Sequence, residues 1–297
     1  MSGAGALTHA EALQQIADRN GGNRATPGPG YDASVDYVVG VLRDAGFDVS
    51  TPTFVLRQRG GGRETVVRNV IAQTRTGSAE HVVMAGAHLD SVPEGPGIND
   101  NASGVATLLE VATRMGSSPP IPNVVRFGFW GAEERNLNGS KSYVESLSDS
   151  EREAIALYLN LDMVASPNAG YFVQGGADGP ESRSGPPGSA TVGRVLVDEL
   201  AANGIAADLM RFEGDSDYAP FVDADIPSGG VLAGDSNKKT TEQADRWGGR
   251  VGDVFDACYH SACDRIETLD RTALDKFSDA IAGTIARFAD AAEVPAR

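Results

Sequence analysis

Histidine and acidic residues at the ends of apolar segments are the part of this sequence that could do chemistry. The apolar residues 82–87 are followed by His88, and Asp90 comes two positions later. In open α/β sheets, functional groups gather outside the carboxyl ends of the strands, and a metal-bound histidine needs an acceptor for its second ring nitrogen. His88 is therefore a candidate metal ligand with Asp90 as its partner. The alternative is a strand-end histidine that only hydrogen-bonds to Asp90.

Asp100 lies in the polar turn Gly97-Ile98-Asn99-Asp100-Asn101, immediately before an apolar helical segment. It could simply be the N-cap of that helix. Its two carboxylate oxygens could instead hold two cations about 3.5–4 Å apart. Asp100 is therefore a candidate for a bridge between two metal ions.

Two more acidic positions follow apolar segments. Glu133 and Glu134 come after residues 123–130, and Asp162 comes after residues 155–161. Adjacent buried carboxylates repel each other when no cation is present, and an unpaired buried aspartate is also costly. One glutamate could ligate a metal while the other accepts a proton from water. The alternatives are a solvated acidic turn and an aspartate at the start of an exposed loop.

The segment Cys258-Tyr259-His260-Ser261-Ala262-Cys263 contains both cysteines of the chain. A bridge between them would close a short loop and hold Tyr259 and His260 rigidly. Such a disulfide would favour an oxidising compartment. Two buried thiols around an ordinary histidine are the alternative.

Two imidazoles and three carboxylates together match the donors that zinc and similar divalent ions prefer. The set is His88, Asp100, Glu134, Asp162 and His260. With Asp100 shared, each of two metals would receive one imidazole, one further carboxylate and one oxygen of Asp100. An open coordination position would remain for water.

The elements that must position these residues alternate between short apolar runs and helical patterns, which is typical of an α/β domain. The patterns predict strands over residues 66–72, 81–87, 123–130, 155–161 and 226–232. They predict helices over residues 34–45, 105–115, 192–202 and 272–292. Segments 24–30, 175–189 and 234–250 are interpreted as loops, the second as a surface insertion. No linker interrupts the alternation, so residues 1–297 are predicted to form a single domain.

Composition excludes several classes of function. The 297 residues include 25 Lys and Arg against 41 Asp and Glu, a net charge of −16. Nucleic-acid binding needs clustered cations, and docking on an anionic membrane does too. No apolar run approaches the roughly 20 residues of a membrane span. The first residues lack the basic and apolar regions of a signal peptide, so we expect a protein that is either not secreted or has had its signal peptide removed and a start Met added.

The motifs together resemble the M28 family of secreted dizinc aminopeptidases. They are His88-Leu89-Asp90, the turn around Asp100, Trp130-Gly131-Ala132-Glu133-Glu134, Asn160-Leu161-Asp162-Met163 and the segment from Cys258 to Cys263. The resemblance implies one α/β domain of the zinc-dependent exopeptidase type, with a mixed central sheet flanked by helices. It also implies a protein that is secreted after removal of a signal peptide, and a cis peptide bond after Asp100. A single compact acidic domain is expected to be a monomer.

The resemblance further assigns roles within the proposed site. It implies one zinc on His88 and Asp162, a second zinc on Glu134 and His260, and Asp100 between them. Glu133 would be the general base, Tyr259 would stabilise the tetrahedral intermediate, and Asp90 would orient His88. The expected substrates are peptides with a free N-terminus, and the N-terminal residue is expected to be large and apolar, such as Leu, Phe or Met.

Further positions follow from the same resemblance. Leu232 and Asp217 are expected near the substrate pocket, and Asp275 and Asp279 match a pair of helix residues that bind calcium in a family member. No N-terminal aspartate completes that calcium site in this chain. The alternative function is a related acyltransferase, a glutaminyl cyclase with one zinc, because the two glutamates and two histidines do not exclude it.

Overall fold

The computed structural model describes residues 3–57, 64–175 and 185–295. Its main feature is an eight-stranded mixed sheet with the strand order β1-β4-β6-β5-β7-β10-β8-β9, and β2 and β3 form a separate antiparallel hairpin. The strands are β1 (Asp48–Ser50), β2 (Thr53–Arg57), β3 (Glu64–Arg68), β4 (Val70–Gln73), β5 (Ser78–His88), β6 (Asn123–Trp130), β7 (Ile155–Leu161), β8 (Phe172–Gln174), β9 (Asp208–Met210) and β10 (Ser228–Leu232). The predicted α/β fold with a mixed central sheet is confirmed.

Helices cover both faces of the sheet. They are α1 (Gly3–Arg19), α2 (Pro29–Asp44), α3 (Ser103–Met115), α4 (Asn138–Ser146), α5 (Asp149–Ala154), α6 (Ser189–Ala202), α7 (Ala219–Asp223), α8 (Thr241–Trp247) and α9 (Arg271–Ala289). One face carries the larger core, in which α1, α3, α6 and α9 pack together. The other face carries a smaller aromatic cluster in which the rings of Tyr158 and Phe221 stack at 3.7 Å.

The centre of the sheet is parallel and buried on both faces. Strands β6, β5, β7 and β10 run parallel to one another, and β5 lies between β6 and β7. Since the chain crosses from β5 to β6 on one side and continues to β7 on the other, β5 stands at a topological switch point. Ligands in open α/β sheets bind outside the carboxyl ends of strands at such points.

The predicted buried strands match the structure closely, whereas the prediction for residues 66–72 was wrong. That segment is divided between β3 in the hairpin and β4 in the main sheet, with Asn69 between them. The Asn69 side chain donates to the Gly139 carbonyl at 2.9 Å and accepts from the Gly131 amide at 3.0 Å. These bonds anchor the chain where it leaves the hairpin.

Several predicted loops and boundaries differ from the structure. Helix α1 was not predicted, α2 begins at Pro29 inside the predicted entry loop, and the loop over residues 234–250 contains α8. The Thr240 hydroxyl accepts from the Gln243 amide at 3.2 Å, and the Gln243 side chain accepts from the Thr240 amide at 3.0 Å. These two hydrogen bonds cap the N-terminus of α8. The predicted insertion lies largely outside the described residues. Within the described ranges, no helix is long and apolar enough to cross a membrane.

Candidate metal centre

The predicted metal ligands converge at the carboxyl ends of the three central strands. His88 is the last residue of β5, Glu134 follows β6 in a short turn, and Asp162 directly follows β7. Asp100 lies in the turn before α3, and His260 comes from the loop before α9. Residues distant in the sequence therefore form one cluster at the switch point of the sheet.

The Asp100 carboxylate lies between the two imidazoles. Its Oδ1 is 3.1 Å from His88 Nε2, and its Oδ2 is 3.1 Å from His260 Nε2. Each imidazole also faces a further carboxylate: His88 Nε2 is 3.4 Å from Asp162 Oδ1, and His260 Nε2 is 3.1 Å from Glu134 Oε2. The family resemblance implies the same pairing of residues for two metal sites with a shared aspartate.

The chemistry of the cluster fits a cation. Oε1 of Glu134 and Oδ1 of Asp162 are buried and accept no hydrogen bond from the described residues. Hydrogen bonds to Asp100 and Glu134 raise the pKa of His260 to about 10, which reflects the surplus of negative charge. Burial raises the pKa of Asp100, but the two imidazoles outweigh burial and hold its pKa well below the usual range. Hard and borderline divalent ions suit such a donor set.

Two triplets of side chains are each compact enough to hold an ion, and both include His88. They are His88 with Asp100 and Glu134, and His88 with Glu133 and Asp162. The second triplet includes Glu133, which the sequence predicts to be a base rather than a ligand. Geometry alone is therefore compatible with either role for Glu133, and a variant that keeps its shape must separate them.

Glu133 and His88 both contact Asp90. The amide of Glu133 donates to Asp90 Oδ1 at 3.1 Å. His88 Nδ1 lies 3.2 Å from the Asp90 carbonyl oxygen and 3.8 Å from Asp90 Oδ1. The main chain of Asp90 is therefore the nearer acceptor for the second ring nitrogen, while the carboxylate anchors the turn that carries Glu133. Burial, reinforced by nearby Asp217, raises the pKa of Glu133 well above its usual value.

The loop that carries His260 is closed by a disulfide between Cys258 and Cys263. The Tyr259 ring stacks on the His260 imidazole, with centroids 3.9 Å apart. Burial and the charge of Asp100 raise the pKa of the Tyr259 phenol above its ordinary value. The phenol therefore stays protonated and can donate a hydrogen bond into the cleft.

Sequence reasoning missed the residues that hold the Asp100 turn. Asp264 Oδ1 accepts from the Asn99 amide at 2.6 Å, and its Oδ2 accepts from the Asp100 amide at 3.0 Å. Asn99 in turn donates to Asp256 Oδ2 at 2.7 Å, so the turn and the disulfide loop are tied together. The peptide bond between Asp100 and Asn101 is cis, as the resemblance implied. The sequence offered one signal for this role, which is that Asp264 directly follows Cys263.

Arg24 is the second residue that sequence reasoning missed. It is fully buried, and its guanidinium donates to the carbonyls of Leu89, Pro96 at 3.0 Å and Gly97 at 2.5 Å. These carbonyls belong to the segments that follow His88 and precede Asp100. Burial lowers the pKa of Arg24 to about 10, so the side chain remains charged at neutral pH. Arg24 therefore joins two ligand-bearing segments through a single cation.

Replacing Arg24 with Met is expected to lower the free energy of unfolding by about 2–3 kcal/mol, because three buried carbonyls would lose a charged donor. Urea titration measures this change. Arg194, exposed on α6, provides the matched control, and Arg194→Met should stay within about 0.5 kcal/mol of the wild type. Equal stability of the two variants would contradict the role assigned to Arg24.

A cleft of about 350 Å³ opens over the cluster. Its walls combine the polar cluster with residues from three further segments, one of which includes Lys141 of α4. They are His88, Asp100, Glu133, Glu134, Asn136, Leu137, Lys141, Asp162, Met163, Gly214, Asp215, Tyr259 and His260. The cleft therefore presents both predicted catalytic residues and all five predicted ligands to one space.

The remaining predicted positions lie elsewhere. Asp217 is buried and Leu232 ends β10 opposite Phe172, and neither is among the described residues that line the cleft. Ser216 lies in the sequence between Asp215, which lines the cleft, and Asp217, and it donates to Asp162 Oδ2 at 2.6 Å. Asp275 accepts from the Gly3 amide at 2.5 Å. The pocket and calcium assignments therefore stay predictions.

Residues 69–285 match Peptidase family M28. Over 245 residues the chain is 51% identical to the probable lipoprotein aminopeptidase LpqL of Mycobacterium tuberculosis, covering 80% of this chain and 49% of the relative. It is 45% identical over 282 residues to leupeptin-inactivating enzyme 1 of Streptomyces exfoliatus, covering 93% and 60%. The chain thus spans roughly half to three-fifths of these relatives.

Solved structures share the fold. A zinc aminopeptidase from Bacillus subtilis matches with a TM-score of 0.74 at 18% identity, over 95% of this chain and 94% of that chain. A glutaminyl cyclase from Porphyromonas gingivalis matches with a TM-score of 0.73 at 20% identity, over 97% and 98%. The fold is therefore common to proteins named for two different activities.

Proposed function

Because the chain belongs to peptidase family M28, we propose that it is a metalloaminopeptidase that uses two zinc ions to release the N-terminal residue of peptides. The observation that carries this proposal is the Asp100 carboxylate, whose two oxygens each lie 3.1 Å from a different imidazole. A single metal would not need a carboxylate shared in this way. His88 and Asp162 would hold one zinc, and Glu134 and His260 would hold the other.

When bound, two zinc ions would lower the pKa of a water molecule toward about 7 and polarise the scissile carbonyl. Glu133 lines the same cleft and takes the proton of the attacking water, then passes it to the leaving amine. The Tyr259 phenol donates to the carbonyl oxygen as negative charge develops there. Asp90 holds the turn of Glu133 through the amide of that residue.

Cleavage would be restricted to the N-terminal residue because the cleft offers hydrogen-bond acceptors for a free α-amine. Asp162 and Glu133 both line the cleft and can accept from the α-ammonium group. Leu137 and Met163 provide apolar surface beside them, which suits a large apolar side chain at the N-terminus. Leu232 and Asp217 would then influence this preference from behind the cleft wall rather than by direct contact.

The proposal predicts that leucyl-p-nitroanilide is hydrolysed and that its N-acetylated form is not. Acetylation removes the charge that the cleft carboxylates recognise, so a rate lower by about a hundredfold or more is expected. A zinc chelator should abolish the hydrolysis of the free-amine substrate. Equal rates on both forms would contradict an aminopeptidase, and rates unaffected by the chelator would contradict a metalloenzyme.

The alternative of a glutaminyl cyclase makes the opposite prediction. Such an enzyme would leave the anilides intact and cyclise an N-terminal glutamine peptide with one zinc per chain. The shared position of Asp100 between the two imidazoles favours two ions, and hence the peptidase.

We also infer that the protein is a monomer. We infer that it is exported to an oxidising compartment, which the disulfide favours. We propose that Asp275 and Asp279 of α9 bind calcium.

A further inference from the structure

A second cavity of about 500 Å³ adjoins the cleft on the Glu134 side. Glu134 and Asn136 line both spaces, so the two spaces share part of one wall. The volume lies within the range of clefts that bind small ligands. The walls are Ala25, Thr26, Leu56, Arg57, Asp90, Ser91, Val92, Pro93, Glu134, Arg135, Asn136 and Asn138.

The direction of a substrate follows from the proposed function, on which this inference rests. The N-terminal residue occupies the first cleft, where Asp162 meets its amine and Leu137 and Met163 meet its side chain. The rest of the peptide must leave on another side of the metal centre. The second cavity, beside Glu134, is the adjoining space that can receive it.

The charges of the second cavity are unlike those of the protein as a whole. The chain carries a net charge of −16, yet two guanidinium groups, Arg57 and Arg135, lie on this wall. Arg135 makes no ion pair within the described ranges, whereas Arg57 pairs with Glu64 at 3.1 Å and both partners are exposed. Two carboxylates also line this cavity: Asp90 accepts from the Glu133 amide through Oδ1, and Glu134 faces His260 through Oε2. Their other oxygens are buried and have no hydrogen-bond partner among the described residues.

The wall also contains an unsatisfied polar group. Thr26 is 4% exposed, and its hydroxyl has no hydrogen-bond partner among the described residues. Buried polar atoms are seldom left without a partner in native proteins. Thr26 and Arg135 therefore give this wall a hydroxyl group and a positive charge.

We propose that this cavity binds the residues downstream of the scissile bond, and that Arg135, assisted by Arg57, binds a carboxylate of the leaving peptide. The carboxylate is either the free C-terminus of a short peptide or an acidic side chain. The enzyme is therefore selective for substrates with a negative charge shortly after the cleaved bond. An exposed ion pair contributes modestly, so the effect of Arg135 is expected to be about two- to fivefold.

The test compares kcat/KM for Leu-Gly-Gly with that for its C-terminal amide. The wild type should prefer the free acid, and Arg135→Gln should reduce this acid-to-amide ratio about two- to fivefold. Arg135→Lys keeps the charge and should retain most of the preference. Arg194→Gln, outside both cavities, should leave the ratio unchanged. Added salt should weaken the wild-type preference, because Arg135 is partly exposed.

A further arm identifies the source of the carboxylate. Leu-Gly-Glu amide carries its charge only on a side chain, and its rate relative to Leu-Gly-Gln amide tests that source directly. An acid-to-amide ratio and a Glu-to-Gln ratio that are both the same in the wild type and in Arg135→Gln would overturn the proposal. Hydrolysis of leucyl-p-nitroanilide is measured in parallel to distinguish failure of the subsite from failure of the proposed peptidase. If this substrate is hydrolysed while both ratios are unchanged in Arg135→Gln, only the subsite is rejected. Absence of that hydrolysis rejects the peptidase and the subsite together.

Discussion

Replacing Glu133 with Gln is expected to lower kcat by about 10²–10⁴-fold while zinc binding stays near the wild-type level. The amide has almost the same shape as the carboxylate but cannot accept a proton from water. The Glu133 main chain is held by Asp90 at 3.1 Å, so the turn should keep its position. Steady-state kinetics and zinc content, measured on the same preparation, give both quantities.

The same variant decides between the two roles that geometry allows for Glu133. Because Glu133 forms a compact triplet with His88 and Asp162, it could itself ligate a metal. Loss of zinc from Glu133→Gln would assign it as a ligand, and bound zinc with a normal kcat would remove it from the proton transfer. Glu134→Gln is the matched control, and it should lose zinc because Glu134 faces His260 at 3.1 Å.

Asp100→Asn is expected to weaken zinc binding at both positions and to abolish activity with it. Asn offers one carbonyl oxygen and no charge, whereas Asp100 places one oxygen before each imidazole. The loss of a direct ligand should exceed the roughly 10–100-fold change in affinity that outer residues cause. Dialysis against buffered zinc, followed by elemental analysis, measures the change.

A substitution that affects only one of the two proposed zinc sites provides the control for Asp100→Asn. His260→Ala should weaken one of the two sites and leave the other, since His88 and Asp162 do not depend on His260. If Asp100→Asn retained both ions at wild-type affinity, the shared-ligand geometry would be irrelevant to metal binding. If His260→Ala removed both ions, the two sites would be coupled more tightly than the pairwise distances suggest.

Three of the five predicted ligand positions, His88, Glu134 and Asp162, could be recognised because each follows an apolar segment. Asp100 instead precedes an apolar helical segment, and His260 lies between the two cysteines. A buried strand such as residues 155–161 is easy to recognise, and a charged residue directly after it stands out. The order of the central strands brings these three positions together, whereas Asp100 and His260 reach the cluster from the segments before α3 and α9. The match to strands β6 and β7 is therefore close, and the ligand cluster follows from the fold.

The residues that hold the ligands could not be predicted in the same way. Arg24 acts through three backbone carbonyls that lie 65 to 73 positions away in the chain, and the sequence gives no periodic signal for such contacts. Asp264 also binds backbone amides, about 165 positions away. Sequence patterns indicate which side chains point inward, but not which main-chain groups they satisfy.

A zinc titration of the metal-free protein, with leucyl-p-nitroanilide hydrolysis measured at each step, tests the two-zinc proposal directly. Two zinc ions are expected to bind per chain, and full activity is expected to require the second. Full hydrolytic activity with one zinc per chain would contradict the shared role of Asp100. Binding of zinc without any hydrolysis would contradict the aminopeptidase assignment itself.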